Sequence, residues 1–218
     1  MIQLVAFDLD GTLVDSSQDL AAATNALLAD LGGVALSHDV VVSFVGEGAA
    51  VLVRRALERA GLAPDTPRAL EQFLRHYDAR LLDTTRPYPG MVETITAMRS
   101  SRRTAVLTNK PERPTLQILR GLGMDGLFSD VVGGDSLHGR KPDPAGLLHL
   151  AGRAGVTPAE TLLVGDSPVD LETAQRAGTH ICLARYGFGY RFGGTGFRGD
   201  ERFIDSPLAL PAIIDEIG

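Results

Sequence analysis

Short apolar runs recur along the chain, and stretches with apolar residues at helical spacing separate them. The runs are rich in β-branched residues and predict strands. Strands that alternate with helices are typical of a parallel sheet covered by helices on both faces. The predicted strands are Gln3–Phe7, Arg103–Leu107, Val131–Val132, Thr161–Val164, Thr179–Ala184 and Arg202–Ile204. The predicted helices between them lie near Met91–Ser100, Glu112–Gly121, Ala145–Ala154 and Val169–Ala177.

The segment between Asp15 and about Arg86 has a different pattern. Its apolar residues recur at spacings of three and four, and it contains no convincing strand. We therefore predict a doubly wound, mostly parallel, Rossmann-like α/β core of residues 1–14 and 87–218. An α-helical cap domain of residues 15–86 is inserted into it, with hinges near the two ends of the insertion. The predicted cap helices are Asp19–Leu31, Ala49–Ala60 and Arg68–Leu82.

Composition excludes several classes of protein. The 218 residues include 21 basic and 27 acidic side chains, which gives a net charge of −6, and no basic tract occurs. This balance argues against a nucleic acid or an anionic membrane as a partner. No long apolar segment occurs either, so we expect a soluble, cytoplasmic protein. We expect it to be a monomer or a homodimer. The single cysteine, Cys182, excludes an intramolecular disulfide, and its apolar surroundings predict a buried thiol.

Polar residues stand where three of the predicted strands end. Ligands of a parallel α/β sheet bind beyond the carboxyl ends of its strands. We therefore expect these side chains to meet in one crevice, together with a cation from the loop after the third strand. The residues are Asp8, Asp10 and Gly11 after the first strand, Thr108 and Asn109 after the second, Asp166 and Asp170 after the fourth, and Lys141 in the loop.

The carboxylates of this set predict a metal site. Asp8 and Asp10 are two residues apart, which puts their side chains on one side of an extended chain. Two close carboxylates repel each other unless they share a cation. With Asp166 as a third acid and no His or Cys nearby, the ligands suit Mg²⁺. Gly11 lets the backbone come close, and N–H groups of the turn that follows can hold an anion, so we expect a phosphate substrate.

Four motifs together resemble the haloacid dehalogenase superfamily in its phosphatase branch. They occur in the order of that family, and the resemblance covers nearly the whole chain. It implies the core and the helical cap described above. The motifs are Asp8-Leu-Asp-Gly-Thr-Leu-Val-Asp-Ser16, Thr108-Asn-Lys-Pro111, Lys141-Pro-Asp-Pro144 and Val164-Gly-Asp-Ser-Pro-Val-Asp170.

The resemblance also implies a role for each acid. Asp8 would attack phosphorus and become an aspartyl-phosphate. Asp10 would protonate the leaving oxygen and then accept a proton from water. Mg²⁺ would be held by the Asp8 side chain, the Asp10 backbone carbonyl and Asp166, with Asp170 in or near the surrounding shell.

Three further residues would stabilise charge on the phosphoryl group that is transferred. The resemblance assigns this role to Thr108, to the backbone of Asn109 and to Lys141. The cap would close over the substrate and exclude bulk water.

The cap carries a second similarity. Val45-Gly-Glu-Gly48, followed by Leu52 and Arg54-Arg-Ala-Leu57, is similar to the phosphoglycolate phosphatases. This implies a small phosphorylated metabolite, 2-phosphoglycolate, as the substrate. The residues expected to bind it from the cap are Gly46, Glu47, Gly48 and Arg54.

Other reactions share these motifs. Sugar phosphates or pyrophosphate are alternative substrates, and a phosphosugar mutase of the same fold is an alternative enzyme. A dehalogenase needs no acid at position 10, so Asp10 argues against it. A binding protein without activity is disfavoured because Asp8, Asp10, Lys141 and Asp166 are all present.

Two features near the end of the chain carry no function in this interpretation. The stretch Tyr186–Asp200 is longer and richer in glycine than the corresponding linker of the family, and we expect a surface loop. Within it, Gly194-Thr-Gly-Phe-Arg-Gly199 has the spacing of a dinucleotide-binding loop. No strand precedes it and no helix pattern follows it, so we interpret the match as chance.

Overall fold

The computed structural model describes residues 1–192 and 196–217. Part of the glycine-rich spacing at Gly194–Gly199 therefore lies outside the described residues. The strands are β1 (Leu4–Phe7), β2 (Val14–Asp15), β3 (Arg86–Pro87), β4 (Arg103–Leu107), β5 (Asp130–Val132), β6 (Thr161–Gly165), β7 (His180–Ala184) and β8 (Arg202–Ile204). The helices are α1 (Ser17–Asp30), α2 (His38–Val42), α3 (Ala49–Arg59), α4 (Ala69–Asp78), α5 (Met91–Met98), α6 (Glu112–Gly121), α7 (Ala145–Ala154), α8 (Pro168–Ala177) and α9 (Leu210–Ile217).

Six of the strands form one parallel sheet in the order β5-β4-β1-β6-β7-β8. The predicted α/β fold class is therefore confirmed, and each predicted strand agrees with the structure to within one residue at either end. The chain moves from β1 to β4 and β5 on one side, then returns to β6 on the other side of β1. The order of the strands thus reverses at β1, in the centre of the sheet.

Side chains of the central strand alternate between two apolar cores. Val5 and Phe7 belong to one core cluster, and Leu4 and Ala6 belong to the other. Helices α5, α6 and α9 cover the first face, and α7 and α8 cover the second. A strand buried on both faces has no polar side to present to water, which explains why the run Leu4–Phe7 is apolar throughout. Cys182 is fully buried in the first cluster, as predicted.

Along the chain, helices α1 to α4, which are called the cap below, lie between two short strands that pair with each other. β2 and β3 are antiparallel, with Val14 opposite Pro87 and Asp15 opposite Arg86. This pair lies where the sequence places both hinges, so the chain leaves the core and returns to it at adjacent points. The division into a core of residues 1–14 and 87–218 and a cap of residues 15–86 stays a prediction. The patterns along the sequence missed the β2–β3 pair, α2 and α9.

Asp19, at the start of α1, ties the two ends of the cap together. Its carboxylate accepts hydrogen bonds from the N–H and hydroxyl groups of Thr84, at 3.0 and 2.6 Å, and from those of Thr85, at 2.9 and 2.7 Å. Burial opposes the charge on Asp19, but these hydrogen bonds lower its pKa below the ordinary value of 3.8. The carboxylate thus fixes the segment that leads into β3 against α1.

We expect the Asp19→Asn variant to lose about 2–3 kcal/mol of its free energy of unfolding at neutral pH, because several charge-assisted hydrogen bonds are replaced or lost. A carboxylate with a lowered pKa stabilises the fold above the unfolded pKa, and this contribution disappears as the pH falls through the folded pKa. The difference in unfolding free energy between wild type and variant should therefore stay constant above about pH 5 and become smaller below about pH 4. Urea unfolding across this range measures it.

The matched control for this experiment is Asp65→Asn, since Asp65 is exposed on the cap. If the difference in unfolding free energy between wild type and Asp19→Asn widened as the pH falls, the assignment of this stability to the Asp19 carboxylate would be wrong.

Among the described residues, no helix is both long and apolar enough to cross a membrane.

Candidate active site

The predicted polar residues meet at the carboxyl ends of the central strands. Asp8 follows β1, Thr108 follows β4 and Asp166 follows β6, and all three side chains are buried. Because the strand order reverses at β1, this edge is the topological switch point at which ligands of doubly wound sheets bind. The order of the strands therefore positions the site.

Lys141 is the cation at the centre of this group. Its Nζ lies 2.9 Å from Oδ1 of Asp8 and 2.6 Å from Oδ1 of Asp170. The other oxygen of Asp170 accepts hydrogen bonds from the N–H and the hydroxyl of Ser167, at 3.1 and 2.6 Å. Asp170 therefore caps the start of α8 and anchors Lys141 at the same time, and an ammonium buried on all sides is held next to Asp8.

The protonation of these groups reflects their burial. Burial raises the pKa of Asp8 to about 6, although the Lys141 ammonium opposes the shift. Burial also raises the pKa of Asp166 well above its ordinary value, and the Asp170 and Asp8 carboxylates add to this effect. For Lys141, burial opposes the charge, but Asp170 and Asp8 raise its pKa. The buried carboxylates around Lys141 therefore carry more negative charge than this one lysine can neutralise.

This excess of carboxylates fits a divalent cation. One oxygen from each of Asp8, Asp166 and Asp170 lies within 4.8 Å of the other two, and all three residues are buried. Carboxylate oxygens are the ligands that hard divalent ions prefer in proteins. The Asp10 carboxylate is not one of these three, and the contribution of the Asp10 backbone carbonyl stays a prediction.

Glycines allow the backbone to approach Asp166 closely. A Cβ on Gly11, whose φ is +90°, would lie 2.0 Å from Oδ2 of Asp166. In the turn after Gly11, where we expect an anion to bind, the Gly11 N–H donates to the carbonyl of Val14, and the N–H groups of Thr12, Leu13 and Val14 donate to that of Leu9. The turn is closed upon itself, so its amides are occupied.

The first part of the stretch after β7 reaches the site, and the expectation of a surface loop is wrong for this part. The Gly189 N–H donates to Oδ2 of Asp166 at 2.7 Å, and the Tyr186 hydroxyl donates to the carbonyl of Thr12 at 3.1 Å. A Cβ on Gly187 would lie 2.3 Å from the Gly11 carbonyl oxygen and from Cβ of Asp166. The glycines let this segment close over the acidic cluster. Sequence reasoning missed it, and its richness in glycine was the available signal.

Asp10 and Lys110 form a second ion pair, beside Asp8. Nζ of Lys110 lies 2.7 and 2.9 Å from the two carboxylate oxygens of Asp10, and Ser16 donates to Oδ1 of Asp10 at 2.6 Å. Sequence reasoning gave Lys110 no role, although its place two residues after Thr108 put it at the same strand end. The chain has only two lysines, Lys110 and Lys141, and both are buried in this site.

A small cavity lies between the strand ends and the cap. Its volume is about 50 Å³, enough for a few water-sized groups. The core side is polar, and the cap side is mainly apolar. The lining residues from the core include Asp8, Asp10, Thr108, Asn109 and Lys110, and those from the cap include Leu20, Val45, Gly46, Gly48, Ala49, Leu52, Phe73, Leu74 and Tyr77.

Asn109 connects the cap to the core with its side chain. Its Nδ2 donates to the carbonyl of Gly46 at 2.9 Å and to the carbonyl of Lys141 at 3.0 Å. Its Oδ1 is buried and has no hydrogen-bond partner among the described residues. The sequence predicted a contribution from the backbone of this residue, whereas the structure gives its side chain a bridging position.

The predicted cap residues separate into two groups. Gly46 and Gly48 line the cavity, and both have a positive φ, of 119° and 91°. Glu47 is half-exposed and pairs with Arg55, with 2.6 Å between Nη2 and Oε1. Arg54 is exposed on α3 and does not line the cavity. The structure therefore brings the two glycines to the site and leaves Glu47 and Arg54 outside it. Glu47 is held by Arg55, and α3 turns Leu52 rather than Arg54 toward the cavity.

Comparisons with known proteins agree with this architecture. A model of the family described as haloacid dehalogenase-like hydrolase matches residues 5–184. A phosphoglycolate phosphatase of Cupriavidus necator is 41% identical, over 96% of this chain and 92% of its own. A phosphoglycolate phosphatase of Rhodospirillum rubrum is 43% identical, over 86% of this chain and 81% of its own. The crystal structure of a predicted phosphoglycolate phosphatase from Haemophilus somnus has a TM-score of 0.89 at 35% identity and covers 97% of both chains.

Proposed function

Because the chain belongs to the haloacid dehalogenase-like hydrolase family and is a phosphatase, we propose that it hydrolyses 2-phosphoglycolate, with Asp8 as the nucleophile and Mg²⁺ as the cofactor. The observation that carries the proposal is the position of Asp8. It contacts Lys141, belongs to the group of three buried carboxylates and lies at the polar side of a cavity that the cap covers.

Asp8 is placed for attack on phosphorus. The Leu9 N–H donates to Oδ1 of Asp8 at 2.7 Å, and Lys141 contacts the same oxygen. These contacts fix the orientation of the carboxylate, and one of its oxygens is the nucleophile. Its bond to phosphorus forms as the bond from phosphorus to the ester oxygen breaks. Lys141 and the Thr108 hydroxyl stabilise the charge of the phosphoryl group during the transfer.

Asp10 transfers the protons in both steps. It protonates the ester oxygen as glycolate leaves, and it then accepts a proton from the water that attacks the phosphorus of the aspartyl-phosphate. Inorganic phosphate is released and the Asp8 carboxylate is restored. Ser16 and Lys110 orient Asp10 in this structure. The cap limits the access of bulk water to the intermediate.

Asp8, Asp166 and the Asp10 carbonyl would hold Mg²⁺, with Asp170 beside them. When bound, the ion would supply positive charge that reduces the repulsion between these carboxylates and an incoming phosphate. Gly189 would orient Asp166 through its N–H group.

The size of the cavity supports a small substrate. A cavity of about 50 Å³ favours a small ester over a hexose phosphate, for which the cap must open further. The two relatives named above are phosphoglycolate phosphatases, and 2-phosphoglycolate is a smaller ester than a hexose phosphate.

We expect phosphate release from 2-phosphoglycolate that disappears with EDTA and returns with Mg²⁺, because the buried carboxylates need a cation before they can accept an anion. The measurement is inorganic phosphate released from a panel of esters that includes 2-phosphoglycolate, pyrophosphate and several hexose phosphates. We expect kcat/KM for 2-phosphoglycolate to exceed that for glucose 6-phosphate by roughly 100-fold or more. Phosphate release in the presence of EDTA would contradict the requirement for a metal ion. Equal rates for all esters of the panel would contradict the assignment of 2-phosphoglycolate as the preferred substrate.

A further inference from the structure

Lys110 is a cation that faces the substrate cavity. It is buried, its Nζ contacts both oxygens of Asp10, and the same Nζ lies 4.5 Å from the centroid of the Tyr77 ring. A buried ammonium is costly unless its hydrogen atoms find partners. The Asp10 carboxylate accepts two hydrogen bonds, and the Tyr77 ring is a weaker cation–π partner, so the position of Lys110 is fixed from both the core and the cap while the ammonium keeps the capacity to bind a further anion.

The rest of the cavity wall offers no comparable group. Among the described residues that line the cavity, Lys110 is the only cation, and Asp8 and Asp10 are the only acids. A substrate that carries a second negative charge would meet these two acids and an apolar cap face. Lys110 is therefore the one charged group in this wall that attracts such a substrate.

We propose that Lys110 binds the carboxylate of the substrate and thereby selects small phosphate esters that carry a second anionic group. The inference rests on the proposed function and deepens it. In an ester of a 2-hydroxy acid, one carbon atom separates the carboxylate carbon from the ester oxygen. A carboxylate on Lys110 consequently brings the ester oxygen beside Asp10, which is hydrogen-bonded to the same ammonium. One lysine thus recognises the substrate and aligns it with the acid that protonates the leaving group.

The test compares two substrates of nearly the same shape, one with a carboxylate and the other with a neutral amide. We expect kcat/KM of the Lys110→Met variant for 2-phosphoglycolate to fall about 10- to 100-fold further than its kcat/KM for the neutral amide, 2-phosphoglycolamide. The additional loss should be mainly in KM. Lys110→Arg retains the charge and should recover part of the preference for the carboxylate. An equal loss on both substrates would assign Lys110 to the orientation of Asp10 only and would overturn the inference.

A second measurement keeps Lys110 in place. With two lysines in the chain, ¹³Cε-labelled lysine gives two lysine signals, and Lys110→Arg identifies one of them by its disappearance. In the Asp8→Asn background, 2-phosphoglycolate should shift the Lys110 signal more than the amide does, and both ligands should shift the Lys141 signal alike. A Lys110 signal that responds equally to the two ligands would contradict the inference. A wild-type enzyme that releases no phosphate from 2-phosphoglycolate would overturn the proposed function, and this inference with it.

Discussion

The Asp8→Asn variant should lose phosphatase activity by roughly 10⁴-fold or more and stay folded. An asparagine amide cannot form the bond to phosphorus, so the covalent route is closed. The change keeps the shape of the side chain and removes one of the buried carboxylates, while Lys141 keeps its partner Asp170. We therefore expect little loss of stability. Single-turnover phosphate release and the thermal midpoint of unfolding measure the two effects.

The control for this variant is Asp65→Asn, an exposed position on the cap, which should retain wild-type turnover. Residual activity of the Asp8→Asn enzyme within tenfold of the wild type would refute nucleophilic catalysis by Asp8. An inactive and unfolded protein would instead show that Asp8 supports the fold, which the contacts of Lys141 with Asp170 argue against.

The Lys141→Met variant should lose both activity and stability. Lys141 is buried and contacts two carboxylates, so its removal leaves Asp8, Asp166 and Asp170 without a counterion. Removing one partner of a buried ion pair costs about 3–5 kcal/mol of unfolding free energy. The rate should fall by about 10²–10³-fold as well, because a group that stabilises the phosphoryl charge is lost. Urea unfolding without added metal measures the loss of stability.

Lys110→Met provides a matched comparison, since it is the other buried lysine and its partner Asp10 is less deeply buried. It should destabilise the fold less than Lys141→Met. Millimolar Mg²⁺ should raise the stability of Lys141→Met more than that of the wild type, because the ion then becomes the counterion of the cluster. If the two variants are equally stable, the charge balance described for the cluster is wrong.

Most of the core and the centre of the site follow from residues at strand ends. A parallel sheet brings the carboxyl ends of all its strands to one edge. The side chains after the neighbouring strands β1, β4 and β6 therefore lie close together, and this does not depend on the conformation of the loops. Asp8, Thr108 and Asp166 were predicted for this reason. The pattern of apolar residues sufficed for the strands because both faces of the sheet are covered.

The contributions of the cap and of the late loop depend on packing that a one-dimensional pattern does not contain. Which face of α3 meets the core is set by how the helices of the cap pack together, so Arg54 could not be separated from Leu52 by spacing alone. Gly187 and Gly189 reach Asp166 because β7 lies next to β6 in the sheet. The sequence contains the glycines but not the strand order that brings them there.

Both lysines of this chain are enclosed, and the remaining basic side chains are arginine and histidine. A reagent that acylates amines therefore finds no lysine on the outer surface of the residues described. Acylation of a lysine must therefore occur within the candidate active site, and for Lys110 it requires the cap to separate from the strand ends. The rate at which such a reagent adds mass to the protein would thus report how often the cap separates from the strand ends, and no engineered label is needed.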